Sequence, residues 1–235
     1  MLLYKLTDKD DRTYGGCQWG EGISHTADGK GPLCTEHWLH AAKHPLLAVL
    51  FNPLQGEYDL DTAHLWEGEG EVGEDDSLKV GCTSFTTLRR IDLPVVTLYQ
   101  RVRWAILCAM EVCREESWLR WANGWLAGKR EVKRDYKDKD KDNEFDEFDD
   151  TDLKRAWDMA WDTSNLRLAW AIAAARRAID AAEYLMAIDR VADKMRAKKE
   201  VAGMASLAVL AALNAKGDND IDIIGLAKRA IADSI

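Results

Sequence analysis

Proline is scarce in this sequence, with four in 235 residues, and positive charge is in deficit. No apolar run is long enough for a membrane helix. The longest weakly polar stretch, Val201 to Ala215, falls short of the roughly 20 residues a span requires, and its alanines add little affinity for lipid. Thirty-two basic residues against 41 acidic ones leave a net charge of -9. That balance argues against a general nucleic-acid coat, because phosphate contacts need local positive charge, and no direct nucleic-acid binding is expected. Cys17, Cys34, Cys82, Cys108 and Cys113 are odd in number and irregularly spaced, which reads as reduced thiols rather than a disulfide framework. The opening MLLYKLTDKD is charged too soon for a secretory signal, so the expected compartment is the cytoplasm. There is also no P-loop, no GxGxxG after a strand, no HExxH and no GxSxG. No catalytic residue is assigned.

What is present predicts a folded α+β chain. Apolar residues make up 47% and charged residues 31%, enough for a core under a well-solvated surface. Residues 1–93 carry all five histidines, three of the five cysteines and most of the glycine. Strand-sized runs such as Leu2 to Leu6 and Ser77 to Val80 are separated there by turns like Asp28-Gly29-Lys30-Gly31-Pro32. One segment, His37 to Phe51, has helical spacing and stops at Asn52-Pro53. The first part is therefore expected to be a small module, a mixed sheet of about 4–6 strands with a short helix.

A mainly α-helical bundle is expected to follow. Pro94 can open a long helical segment over 94–134, with Leu98, Val102, Ala105, Ala109 and Val112 on one stripe and Trp118, Trp121 and Trp125 continuing it. Residues 135–152 are dense in Asp and Glu and read as an acidic connector. Residues 153–235 form the C-terminal helical domain. Within it Ile172, Ala175, Ile179, Ala182 and Met186 make a narrow seam of small and branched side chains, suited to close helix packing. That seam predicts a homodimer, the alternative being that Val201 to Ala215 and the last helix fold back over it.

Three clusters carry candidate chemistry. Cys34, His37, His40 and His44 resemble a zinc set, with the histidines at i, i+3 and i+7 of a helix, but no CxxC accompanies them. Asp138, Asp140, Asp142, Asn143, Asp146 and Asp149 occupy positions of a twelve-residue calcium loop. Asn143 replaces its turning glycine, and Asp149 its bidentate glutamate. Neither cluster is assigned a metal, and no cofactor is expected. Glu67-Gly68-Glu69-Gly70-Glu71, with Tyr4-Lys5 on an early strand, invites comparison with the paired glutamates of ADP-ribosyl transferases, where a carboxylate stabilises an oxocarbenium ion.

Three segments in order resemble an uncharacterised domain at the N-termini of phage and prophage accessory proteins. They are LYKLTDKD, LCTEHWLHAAKHPL and GEDDSLKVGCTSF, and Ala- and Trp-rich helices follow that domain too. The resemblance covers about residues 1–93. It departs where the family shows a Gly-Phe pair and a second Cys, here Trp38-Leu39 and Ala42. It implies a mobile-element origin, with the host cytoplasm as location, and carries no established activity. The expectation is a non-enzymatic accessory protein that binds and modulates a host protein or protein–nucleic-acid complex, with inhibition the favoured mode and a defence or nucleic-acid-handling complex the candidate target. The contacts would come from acidic surface: Glu67, Glu69, Glu71, Asp75 and Asp76, and Asp138, Asp140, Asp142, Asp146 and Asp149. A transferase-type enzyme with an N-terminal cleft, or a virion-associated component, is the alternative.

Overall fold

A computed structural model describes residues 1–129, 156, 158–160, 165–188, 193–216 and 221–232. They divide into two units, Met1–Val96 and Thr97–Ile235. An N-terminal antiparallel sheet with short helices is followed by several longer helices, so the α+β class holds.

In the first unit the strands are β1 (Leu2–Thr7), β2 (Arg12–Thr13), β3 (Cys17–Gln18), β4 (Ser24–Thr26), β5 (Leu39–Ala41), β6 (His64–Asp75) and β7 (Val80–Ile91). β2 and β3 form a small separate hairpin, while the main sheet runs β1-β6-β7-β4 with β5 also on β7. Its pairings are antiparallel throughout, a more regular sheet than the mixed one the sequence suggests. β1 shows the period of two that a half-buried strand requires. Leu3, Lys5 and Thr7 are buried, while Leu2, Tyr4 and Leu6 are not.

The sheet then closes on itself. Just past β5, Ala42 exchanges two backbone hydrogen bonds with Tyr4, at 2.8 and 2.7 Å, on the other edge of β1. β1, β6, β7 and β5 therefore make a ring, which removes an edge that would otherwise stay open to other chains. Leu3, Trp19, Ala41, Val80, Cys82 and Phe85 form its core, with Cys17, Leu39 and Val72 packed against it.

The Gly-Glu alternation of β6 has a steric cause. A Cβ on Gly68 would lie 2.4 Å from the Thr86 carbonyl oxygen and 2.7 Å from the Phe85 ring, and one on Gly70 would lie 2.9 Å from both Phe85 and the Ser84 carbonyl. The glycines leave room for Phe85 to lie against the strand. Register shifts at Glu67/Gly68 and around Val72 add local twist to the long β6–β7 hairpin.

Helix α1 spans only Pro45–Leu50, followed by α2 at Asn52–Gln55. The spacing from His37 suggests a longer helix, but Pro45 holds the residue before it extended. His44 is at φ -146°, ψ 141°, and its ring accepts from the Leu46 N–H as the N-cap. The residues ahead of it pair with β7 instead.

In the second unit the helices are α3 (Leu98–Met110), α4 (Glu116–Leu126), α5 (Leu166–Ala187), α6 (Lys194–Lys216) and α7 (Ile223–Ala232). α3 starts beyond Pro94 because Thr97 and Gln100 form a reciprocal capping box. Every residue from Arg101 to Ala109 is buried, which makes α3 the central helix, packed on α5, α6 and α7. The Trp104 indole N–H donates to the Ile223 carbonyl at 3.0 Å and ties α7 to it. α5 and α6 pack closely on each other through alanine, with Ala174, Ala178, Ala181, Ala208 and Ala212 fully buried. In α4, Trp118 and Trp125 are buried; Trp125 stacks on Tyr99 and Trp118 on Trp121. Among the described residues no helix is long and apolar enough to cross a membrane.

Candidate functional site

The β6–β7 hairpin separates the first acidic tract into two classes. Glu67 is committed: its carboxylate accepts from Arg89 Nε at 2.7 Å, and the pair raises the Arg89 pKa. Asp75 accepts from the Ser77 N–H at 2.9 Å and forms an ion pair with Lys43. Asp76 accepts from the Leu78 and Lys79 N–H groups at 3.0 and 2.8 Å and pairs with the Lys79 ammonium at 3.1 Å. These two aspartates build the hairpin turn, which holds Ser77 at φ +71°. Glu69 and Glu71 differ. Both are exposed, and among the described residues no cation pairs with either. Opposite them on β7 stand Thr86 and Ser84, and the Thr86 hydroxyl donates to Ser24 on β4 at 2.9 Å. The result is a sheet face carrying two free carboxylates beside a row of hydroxyls. Asp138, Asp140, Asp142, Asp146 and Asp149, and with them the calcium-loop pattern, lie outside the described residues.

The zinc-like cluster is dispersed. With no helix across His37 to His44, the three rings share no helical face. His37 Nδ1 meets Asp28 at 2.8 Å, the His40 ring meets the Leu33 carbonyl, and His44 caps α1. Burial lowers the His40 pKa. Among the described residues no group of three or more His, Cys, Asp or Glu is placed to hold a metal. A pocket joining His40 to Glu69 or Glu71 would be the mark of a transferase. The His40 ring is instead occupied by a backbone carbonyl, and the two glutamates face solvent.

Two polar arrangements are illegible in the sequence. One is a knot around Asp11, whose backbone takes the left-handed conformation at φ +59°. Aspartate tolerates this region better than most residues. Its carboxylate accepts from His64 Nδ1 at 2.8 Å, from Trp66 Nε1 at 2.9 Å and from Arg90 Nη2 at 2.6 Å. The Arg90 guanidinium also lies 5.2 Å from the Trp66 ring centre. Three donors on one carboxylate pin the turn after β1 to the start of β6 and the end of β7.

The other is Lys5, which points into the ring and is only 6% exposed. Its ammonium donates to the His40 carbonyl and lies 4.6 Å from the Trp19 ring centre and 5.6 Å from that of Phe85. Removal from water pushes its pKa down to about 8, against smaller opposing effects of Cys17 and Cys82. Only the alternation of β1 could have hinted at it, since Lys5 falls in phase with Leu3 and Thr7.

In the helical unit Ile172, Ala175, Ile179 and Ala182 are buried within the single chain, and Met186 is 43% exposed. α5 meets α6 and α3, so the helix holding Val201 to Ala215 does fold back over the seam, while the last helix packs on α3 instead. No protein-family model, no curated protein and no solved structure matches this chain.

Proposed function

We propose that the protein acts by binding: the outer face of its N-terminal sheet docks on a basic surface of a host macromolecule and inhibits it, in the manner of a phage or prophage accessory factor. The observation that supports this reading is the pair Glu69 and Glu71, exposed and free of any cation among the described residues, on a chain of net charge -9. Two adjacent uncompensated carboxylates favour a positively charged partner and speed its approach. The neighbouring hydroxyls can donate and accept at the same surface. Glu67, Asp75 and Asp76 have a supporting part, because their partners lie within the chain and they hold the hairpin in shape.

The test is capture from host lysate by the wild-type chain and by a Glu69→Lys/Glu71→Lys double variant. A partner bound through this face is retained by the wild type and lost by the variant, and its affinity falls steeply as salt rises, because exposed charges are screened within about 8 Å at physiological ionic strength. A partner retained equally by both, or bound with no dependence on salt, removes this face as the contact. Self-association is a separate proposal. With the Ile172 to Ala182 seam covered inside the chain, a dimer would join through other surface, and light scattering on the purified protein decides it: 26.5 kDa is the monomer.

A further inference from the structure

Lysine is among the residues least often buried, and when buried it is normally paired. Lys5 lies inside the ring with two aromatic faces and one carbonyl as its surroundings. The titratable groups around it are few. Cys17 on β3 and Cys82 on β7 are near enough to act on its charge. His40 on β5 supplies the accepting carbonyl, and its ring also feels the Lys5 charge. Just ahead of β1 the N-terminal amine of Met1 donates to the Gly70 carbonyl at 3.0 Å and acts on Cys82. None of these is a carboxylate. β6 contributes Trp66 opposite Lys5 and the bare backbone of Gly68 and Gly70.

We propose that Lys5 is a proton-linked device built into the ring, in which loss of one interior proton tightens the sheet that carries Glu69 and Glu71. The physical argument is geometric. Aromatic faces and a single carbonyl compensate an ammonium only in part, whereas a neutral amine keeps the same hydrogen bond without the cost of a buried charge. The folded ring therefore releases this proton more readily than water does.

The sign follows by linkage. An unfolded lysine titrates at about 10.4 and the folded one at about 8. Between those values the unfolded chain holds more protons, so stability rises with pH. The full cost of the charge is present below pH 8. It is relieved through the alkaline window and fully removed above the unfolded value. From pH 7 to pH 9 the folded-to-unfolded ratio of the first unit should rise about tenfold from this group alone.

Two measurements on the full chain test it. Lysine side-chain carbon NMR across a pH titration should show one resonance, assigned by its loss in Lys5→Met, with a midpoint well below that of the others. Denaturant unfolding of the first unit, followed at pH 7 and pH 9, should give Lys5→Met a higher stability than wild type at pH 7, and the gap should shrink by about tenfold in equilibrium constant at pH 9. A Lys5 resonance that titrates with the other lysines above pH 10 overturns the proposal; should the variant not fold, backbone-linked assignment of the wild-type spectrum identifies that resonance instead. An unchanged gap between the two pH values overturns it as well.

Discussion

The two units fill their interiors in opposite ways. The first sets the largest side chains against the smallest: Phe85 lies over Gly68 and Gly70, and Trp38 over Gly73 and Gly81. The second sets like against like, with the alanines of α5 and α6 meeting along two helices of 22 and 23 residues. Interiors tolerate few voids, and both schemes meet that demand. They differ in how much they specify. An alanine interface is uniform and accepts small shifts along the helix. A ring that fits one phenyl group to two glycines accepts one register. Both units bury charge, Lys5 in the first and Arg101 and Arg103 in the second, but the first also ties distant strands together through the partly exposed Asp11 knot. Its partners are far apart in sequence, 79 positions in the case of Asp11 and Arg90.

Substitutions can break this contrast in order of size. The largest effect is expected from Ile179→Glu in the alanine-packed unit. Ile179 is 7% exposed within the single chain, so an unpaired carboxylate there should cost about 3 kcal/mol or more, seen as loss of helical circular dichroism and of the cooperative thermal transition. Folded monomers obtained by splitting a larger species would instead place Ile179 at a subunit interface.

A comparable but smaller effect is expected from Gly68→Ala. Its new Cβ meets a backbone oxygen at 2.4 Å as well as the Phe85 ring, and a strand-paired carbonyl cannot swing away as a flexible side chain can. Overpacking of this kind costs about 1–3 kcal/mol, and urea unfolding should show a lower midpoint for the first unit alone.

The same change of residue should reverse its sign in α6. A Cβ on Gly203 meets nothing within 4 Å, and the position lies in the interior of a helix. Gly203→Ala should stabilise the second unit by about 0.5–1 kcal/mol, measurable as a small rise in midpoint. Equal effects of the two alanine substitutions would show that the units do not differ in packing as the geometry indicates.

Legibility in the sequence follows the range of the interactions. The α+β class and the division into a glycine-rich sheet and alanine-rich helices are readable, because periodicity and turn chemistry are local; the stripe from Leu98 to Val112 is not the whole of what α3 buries, since every residue from Arg101 to Ala109 is covered. The short helix expected over His37 to Phe51 starts later for a local reason too: the apolar spacing is real, but Pro45 fixes the start and leaves His37 and His40 outside it. Splitting Glu67, Asp75 and Asp76 from Glu69 and Glu71 was out of reach. All five read as one acidic tract, and only the position of Arg89, Lys43 and the turn N–H groups shows which are occupied.

The sequence by itself determined the order of a sheet-forming part and a helical part, the apolar periodicity of the helices, and the excess negative charge that any partner must match. The tertiary structure alone decided that β1 is closed by Ala42 into a ring, that Lys5 lies inside it, and that Asp11, His64, Trp66 and Arg90 meet. The reason is physical. Helix and strand patterns repeat over a few residues and so are written along the chain, whereas a buried charge and a carboxylate with three donors depend on groups that become neighbours only when distant strands pair.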